Sequence, residues 1–281
     1  MIDEGKYMEF KIGFKADYFE DFPSDVECVE STEAKKTAAP RKSVVQVYFE
    51  KRNIALAYFN DQFDLIPGDI VYVDGKLEGQ RGWVLDVNYN FKIKISEYKR
   101  VIAVVDTSVN GHFFMAGSHF ITFDKMALPA SKAVTWFKAP AKDDDEFIEG
   151  SDDTSFRLDD LKAMNVSSMI AERGHDYYME NKVKYICIDG TCGYAIVEGS
   201  EAYEVEFKYK NGEVSDLICS CFCGYSCKHE FATMLQLRST LELIENHYAA
   251  EYDRSCYFAV VNKGTLFDFA IDRKEVGSFI L

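Results

Sequence analysis

The chain has 281 residues, with 47 acidic against 32 basic side chains and a formal net charge of −15. That length accommodates two modest domains, each burying its own core. The acidity excludes a protein that lays its whole surface on phosphate, because nucleic-acid affinity needs a basic face; positive charge must be localised, or the target is something else.

The opening MIDEGKYMEFK carries charges where a signal peptide needs an apolar run, and no apolar stretch approaches the length of a bilayer span. The expectation is a soluble cytoplasmic protein with no membrane contact. In a reducing compartment its eight cysteines are unsuited to a disulfide framework. Residues 24–42, SDVECVESTEAKKTAAPRK, lack an apolar period and close an N-terminal segment and linker, 1–42.

From 43 to 106, short β-branched and aromatic runs (SVVQVYF, NIALAYF, DIVYVDG, GWVLDV, RVIAVVD) alternate with turn formers such as Pro67-Gly68-Asp69 and Asp74-Gly75. This spacing predicts a small antiparallel β-barrel within a domain spanning 43–140. The piece VYVDGKLEGQRGWVLDV, 71–87, resembles the KOW element of SH3-like barrels that bind nucleic acid. Lys92, Lys94, Lys99 and Arg100 in FKIKISEYKR lie among Phe91, Tyr98 and Trp83, a mixture able to hold a single strand by charge and stacking. An ordinary exposed strand face carries the same composition. The run AKDDDEFIEGSDDTS, 141–155, lacks the alternating ligands and fixed glycine of an EF-hand loop and is expected to be an acidic linker.

Residues 167–182 place Met169, Ile170, Tyr177 and Tyr178 at helical intervals. Two hairpins follow, one turning at Asp189-Gly190 and one at Asn211-Gly212. They lead into CSCFCGYSCKHE, 219–230, which holds five soft-metal donors where a tetrahedral ion takes four. Alternate residues of a strand share a face, so Cys219 and Cys221 can reach one ion from a strand end. Cys227 and His229 then come from the turn into a helix, whose stripe is Phe231, Met234, Leu237, Leu241, Ile244 and Tyr248. The last stretch, 251–281, is expected to form a hairpin turning at Asn262-Lys263-Gly264.

This pattern, Cys-x-Cys, a loop, then Cys-x-His entering a helix, resembles the SWIM zinc-finger family over about 170–240, within a domain taken as 156–250. The resemblance implies an α+β fold of hairpins, zinc and helix, with one structural Zn2+ on Cys219, Cys221, Cys227 and His229. It leaves Cys223 in the loop as a spare thiol able to exchange with Cys221. It also implies association with nucleic-acid-processing machinery, through protein partners or through nucleic acid. Catalysis is not expected: Thr233 stands where an HExxH helix needs its second His, Phe231 where a deaminase needs Glu, and four protein ligands leave no open position.

Between 171 and 246 seven basic residues face thirteen acidic ones. Local exceptions are Lys182, Lys184, Lys208 and Lys210 on neighbouring strands, candidates with the barrel lysines for nucleic-acid contact. The function expected is a non-enzymatic zinc-stabilised interaction module with a protein partner. Direct DNA or RNA binding is the alternative, and a thiol- or metal-dependent enzyme using Cys223 a more distant one. Cys187 and Cys192, flanking the first hairpin turn, are expected as reduced thiols. Cys28, Cys256, His112, His119, His175 and His247 have no recognisable partners in the sequence.

Overall fold

The computed structural model of the protein describes residues 40–140, 150, 154–221 and 223–271. The expected linkers, 1–42 and 141–155, lie almost wholly outside the described residues, as does Cys28. The rest is mixed α and β in two compact units, one ending at Val104 and the other beginning at Val105. The boundary expected at 140 therefore moves upstream, because the strands at 114–122 pair into the sheet of the second unit.

The first unit is a five-stranded antiparallel sheet. Its strands are β1 (Ser43–Phe49), β2 (Ile54–Asn60), β3 (Ile70–Val73), β4 (Arg81–Asn88) and β5 (Val101–Val104), in the order β2-β1-β4-β3-β5. Alternation sends Val45, Val47 and Phe49 of β1 into a core shared with Tyr58, Val71, Val73, Val84 and Val101. The edges β2 and β5 meet at one parallel bridge, Phe59 with Arg100, where the Phe59 N–H donates to the Lys99 carbonyl (2.8 Å). The expected closed barrel is thus corrected to an open, curled sheet. The cause is in residues 91–100, which read as strand but form an irregular connection with a 3-10 turn at Ile95–Glu97. What remains as β5 is four residues, too short to run alongside β2.

The second unit is built on an eight-stranded antiparallel sheet. Its strands are β6 (Phe114–Ala116), β7 (His119–Thr122), β8 (Ser155–Arg157), β9 (Val183–Asp189), β10 (Cys192–Glu198), β11 (Ala202–Lys210), β12 (Glu213–Cys219) and β13 (Tyr257–Asn262). The order is β6-β7-β13-β9-β10-β11-β12-β8. Its helices are the short α1 (Ala130–Ala133), α2 (Ser168–Met179), α3 (Lys228–His247), α4 (Ala249–Ser255) and α5 (Lys263–Leu266).

The hairpin β11–β12 turns at Asn211 and Gly212, with φ of 52° and 84°, the left-handed pair that a type I′ turn requires. On one face of the sheet α3 lays Ala232, Met234, Leu237 and Ile244 against Ile186, Ile188, Val205 and Val260. On the other face the Tyr185 hydroxyl donates to the Leu128 carbonyl (2.8 Å), and Trp136 stacks on Phe269 (4.9 Å). The central strands β9 and β13 are therefore buried on both faces, which accounts for their near-continuous apolar sequence.

The C-terminal hairpin expected around Asn262-Lys263-Gly264 is also corrected. β13 inserts between β7 and β9, and the chain then enters α5, capped by the Asn262 side chain on the Thr265 N–H. Among the described residues no helix is long and apolar enough to cross a membrane.

Candidate metal centre

β12 carries a register shift that aims its last residues. Before it Val214 faces the core; opposite the step between Glu206 and Lys208 the strand takes an extra residue, with Asp216 at a left-handed φ of 49°. Such a bulge reverses which residues face inward. Leu217 and Cys219 then pack on the helix side, with Cys219 opposite Val205. One residue on, the Ser220 N–H donates to the Glu204 carbonyl and its hydroxyl accepts the Glu204 N–H, both at 2.9 Å. This pins the chain to β11 just before Cys221.

The other half of the site is the first turn of α3. Cys227 is its N-cap in a reciprocal capping box: Sγ accepts the Glu230 N–H (3.4 Å), and the Cys227 N–H donates to Glu230 Oε2 (2.8 Å). His229 follows with its ring turned back to the sulfurs, Nδ1 lying 3.7 Å from Sγ of both Cys219 and Cys227. The donor atoms of Cys219, Cys221, Cys227 and His229 all lie within 4.8 Å of one another. Three sulfurs and one imidazole form a group able to hold a metal ion, of the softness that suits borderline and soft cations.

The electrostatics of the metal-free group are uneven. The Cys227 thiol is pushed down to about 4, chiefly by the hydrogen bond from Cys219, with help from His229 and the Glu230 N–H and against its burial. That same hydrogen bond, then burial, holds the Cys219 proton in place, and burial pushes Cys221 up to about 12. A lowered thiol at a helix N-terminus thus sits beside two raised ones. A cation would replace the protons of the raised pair.

The imidazole is held by aromatic rings. Tyr203 of β11 stacks on it (4.1 Å, 19°) and Tyr177 of α2 meets it edge-on (5.5 Å). Among the described residues the buried Nε2 has no hydrogen-bond partner, a departure from the usual acceptor behind a metal-binding histidine. α2 comes this close through Gly174, where a Cβ would meet Phe231 at 2.9 Å and the Lys228 carbonyl at 3.0 Å. Neither Tyr203 nor Gly174 was marked by the sequence pattern. Beside the cluster runs an open groove of about 860 Å³, lined by Phe156, Met164, Ile170, Leu217 and Tyr225.

The four predicted ligands come together, and Cys223 lies exposed outside the group. The basic candidates are scattered. Lys94 pairs with Glu97 (3.3 Å) and Arg100 with Asp61 (2.5 Å), both on or beside the irregular connection before β5 rather than on a strand face. Lys92 and Lys99 are exposed on the same connection. In the second unit Lys182 reaches Glu180 (4.0 Å), Lys184 pairs with Glu198 (3.2 Å) and Lys208 with Asp216 (2.8 Å), while Lys210 ends β11. Of the histidines without partners in the sequence, His119 is buried, with Nε2 3.2 Å from the Val183 carbonyl and Nδ1 3.0 Å from the Ser118 hydroxyl.

No protein-family model and no solved structure matches the chain. The chain is similar to an uncharacterized protein of Methanocaldococcus jannaschii, 36% identical over 69 residues, which is 25% of this chain and 29% of that protein. It thus spans under a third of that relative's length.

Proposed function

We propose that the second unit is a SWIM-type module whose Cys219, Cys221, Cys227 and His229 hold one structural zinc, and that the protein is a non-enzymatic interaction module contacting protein partners in a nucleic-acid-processing assembly. The observation that carries this is the donor geometry. Zn–S and Zn–N bonds at tetrahedral angles put nitrogen and sulfur about 3.6 Å apart, against the 3.7 Å found twice here. The zinc ties the end of β12 to the start of α3, and the four protein ligands close its coordination, which favours a clasp over a catalyst. Supporting a protein contact, the groove beside the clasp mixes apolar walls with Tyr225, 88% exposed.

Metal analysis of purified protein tests the clasp, with one zinc per chain expected. Cys223→Ser should keep it and Cys221→Ser should lose or weaken it; the reverse pattern would assign Cys223 as the ligand.

Direct DNA or RNA binding through basic strand faces is the second reading, and the charge of the described part of the first unit favours it. Residues 40–104 carry ten basic and eight acidic side chains, within a chain whose net charge is −15. A gel-shift series with single-stranded DNA across salt separates the two: absence of binding at low salt removes this reading, and a steep salt slope supports it.

A further inference from the structure

β2 is an edge strand without the usual protection. Natural edges carry charges, proline or bulges that discourage pairing, yet β2 reads IALAYFN, and Ile54, Ala55, Leu56 and Ala57 are all exposed. Its outer side can be assigned from one bond. The Phe59 N–H points away from β1, toward the Lys99 carbonyl. In an antiparallel ladder the N–H and C=O of a residue point the same way and alternate along the strand. Ala55 and Ala57 therefore direct their backbone groups outward, while Ile54, Leu56 and Tyr58 bond to β1 opposite Phe49, Val47 and Val45. Among the described residues no backbone hydrogen bond reaches Ala55 or Ala57 from outside the ladder.

We infer that β2 pairs antiparallel with β2 of a second copy of this chain, across a two-fold axis at Leu56. In that register Ala55 of each copy faces Ala57 of the other, and the two pairs exchange their outward N–H and C=O groups. Leu56 faces Leu56 as the close, non-hydrogen-bonded pair between them. The side chains agree. Leu56 and Ile54, 42% and 37% exposed, lie on the same face as the buried Tyr58 and extend the core of one sheet into its copy, while alanines occupy the other face.

Charge selects a second copy, and the antiparallel direction. Exposed Glu50, Lys51 and Arg52, with one positive charge in excess, precede the strand, and exposed Asp64 follows it beyond Asp61, which Arg100 already holds. The two-fold sets the basic end of one strand against the acidic end of the other, an isologous arrangement in which one patch supplies both halves. A parallel pairing would set like charges together.

The test is the mass of the full chain in solution by light scattering and sedimentation, up to about 100 µM. The expected result is a species of twice 32.1 kDa. Ala57→Pro removes an outward N–H and leaves the β1 ladder intact, and by symmetry it deletes two of the inter-copy bonds; the dissociation constant should rise about 30-fold or more, with circular dichroism unchanged. Lys51→Glu, outside the strand, should also weaken the dimer and decides the matter if the proline variant fails to fold. A monomer throughout, or a dimer indifferent to the folded variants, overturns the proposal.

Discussion

The ring of Tyr203 lies nearly parallel to the imidazole of His229, 4.1 Å away and tilted by 19°, so a β11 side chain sets the attitude of a metal ligand on α3. Tyr203 is itself fixed, its hydroxyl 2.7 Å from that of Ser200. Replacing it by leucine should leave one metal per chain at saturation and weaken affinity about 10–100-fold, the usual cost of losing a group that orients a ligand. Chelator competition measures this; equal affinity would assign the ring to packing alone.

Metal binding should be strongly pH dependent, with a fixed sign. The Cys219 and Cys221 thiols are raised, the first chiefly by its hydrogen bond to Cys227 and the second by burial, whereas Cys227 is lowered, so the first two carry the protons that a metal must displace. Ligation then releases about two protons, so affinity should rise roughly 100-fold per pH unit on the alkaline side of neutrality and fall equally on acidification. Calorimetry in buffers of different ionisation enthalpy counts those protons.

Gly174→Ala should destabilise the second unit even though alanine is the better helix former. The added methyl would stand 2.9 Å from the Phe231 side chain and 3.0 Å from the Lys228 carbonyl, so α2 must back away from α3. Overpacking of this kind costs about 1–3 kcal/mol against a gain of about 1 from helix propensity. Chemical denaturation measures the difference. Metal affinity should fall with it, because Lys228 adjoins His229.

His119 predicts an acid-side loss of stability. Burial first, then the nearby Lys184 and Lys263, lower its pKa, against the hydrogen bond to the Val183 carbonyl. A histidine lowered on folding is neutral in the native state and takes up a proton on unfolding. Its contribution is therefore intact above the ordinary value of about 6.5 and is lost as pH falls from there toward the folded value. Denaturation midpoints at pH 7.5 and 5.5 should differ less in His119→Gln than in the parent, because the variant has no proton to take up on unfolding in that range; equal pH slopes would remove His119 from the account.

What was legible in the sequence was local. Asn211-Gly212 announced its turn because few residues tolerate two successive positive φ angles. The stripe from Phe231 to Tyr248 announced α3, and the cysteine spacing announced the four donors. What was hidden depends on partners distant along the chain. Nothing in the run His119–Thr122 says that its neighbour is β13. Asn262-Lys263-Gly264 has turn composition, yet the choice between a hairpin and a helix cap is made by the packing around it. Likewise FKIKISEYKR alternates like a strand, yet among the described residues only its end, at Lys99 and Arg100, meets β2, too little to make a ladder. The bulge at Asp216 has no signature at all: an aspartate at left-handed φ inside an alternating run shows itself once β11 is in place.

The sheet order also sets a timetable for synthesis. β9 to β12 are joined by tight hairpins and can pair in the order in which they leave the ribosome. The β6–β7 hairpin emerges well before them and waits, since its neighbour β13 ends at Asn262. Until then the apolar edge of β9 and the hairpin itself stand uncovered, an interval in which a nascent chain is open to chaperones and to mispairing. A chain cut after α3 would hold that interval open permanently.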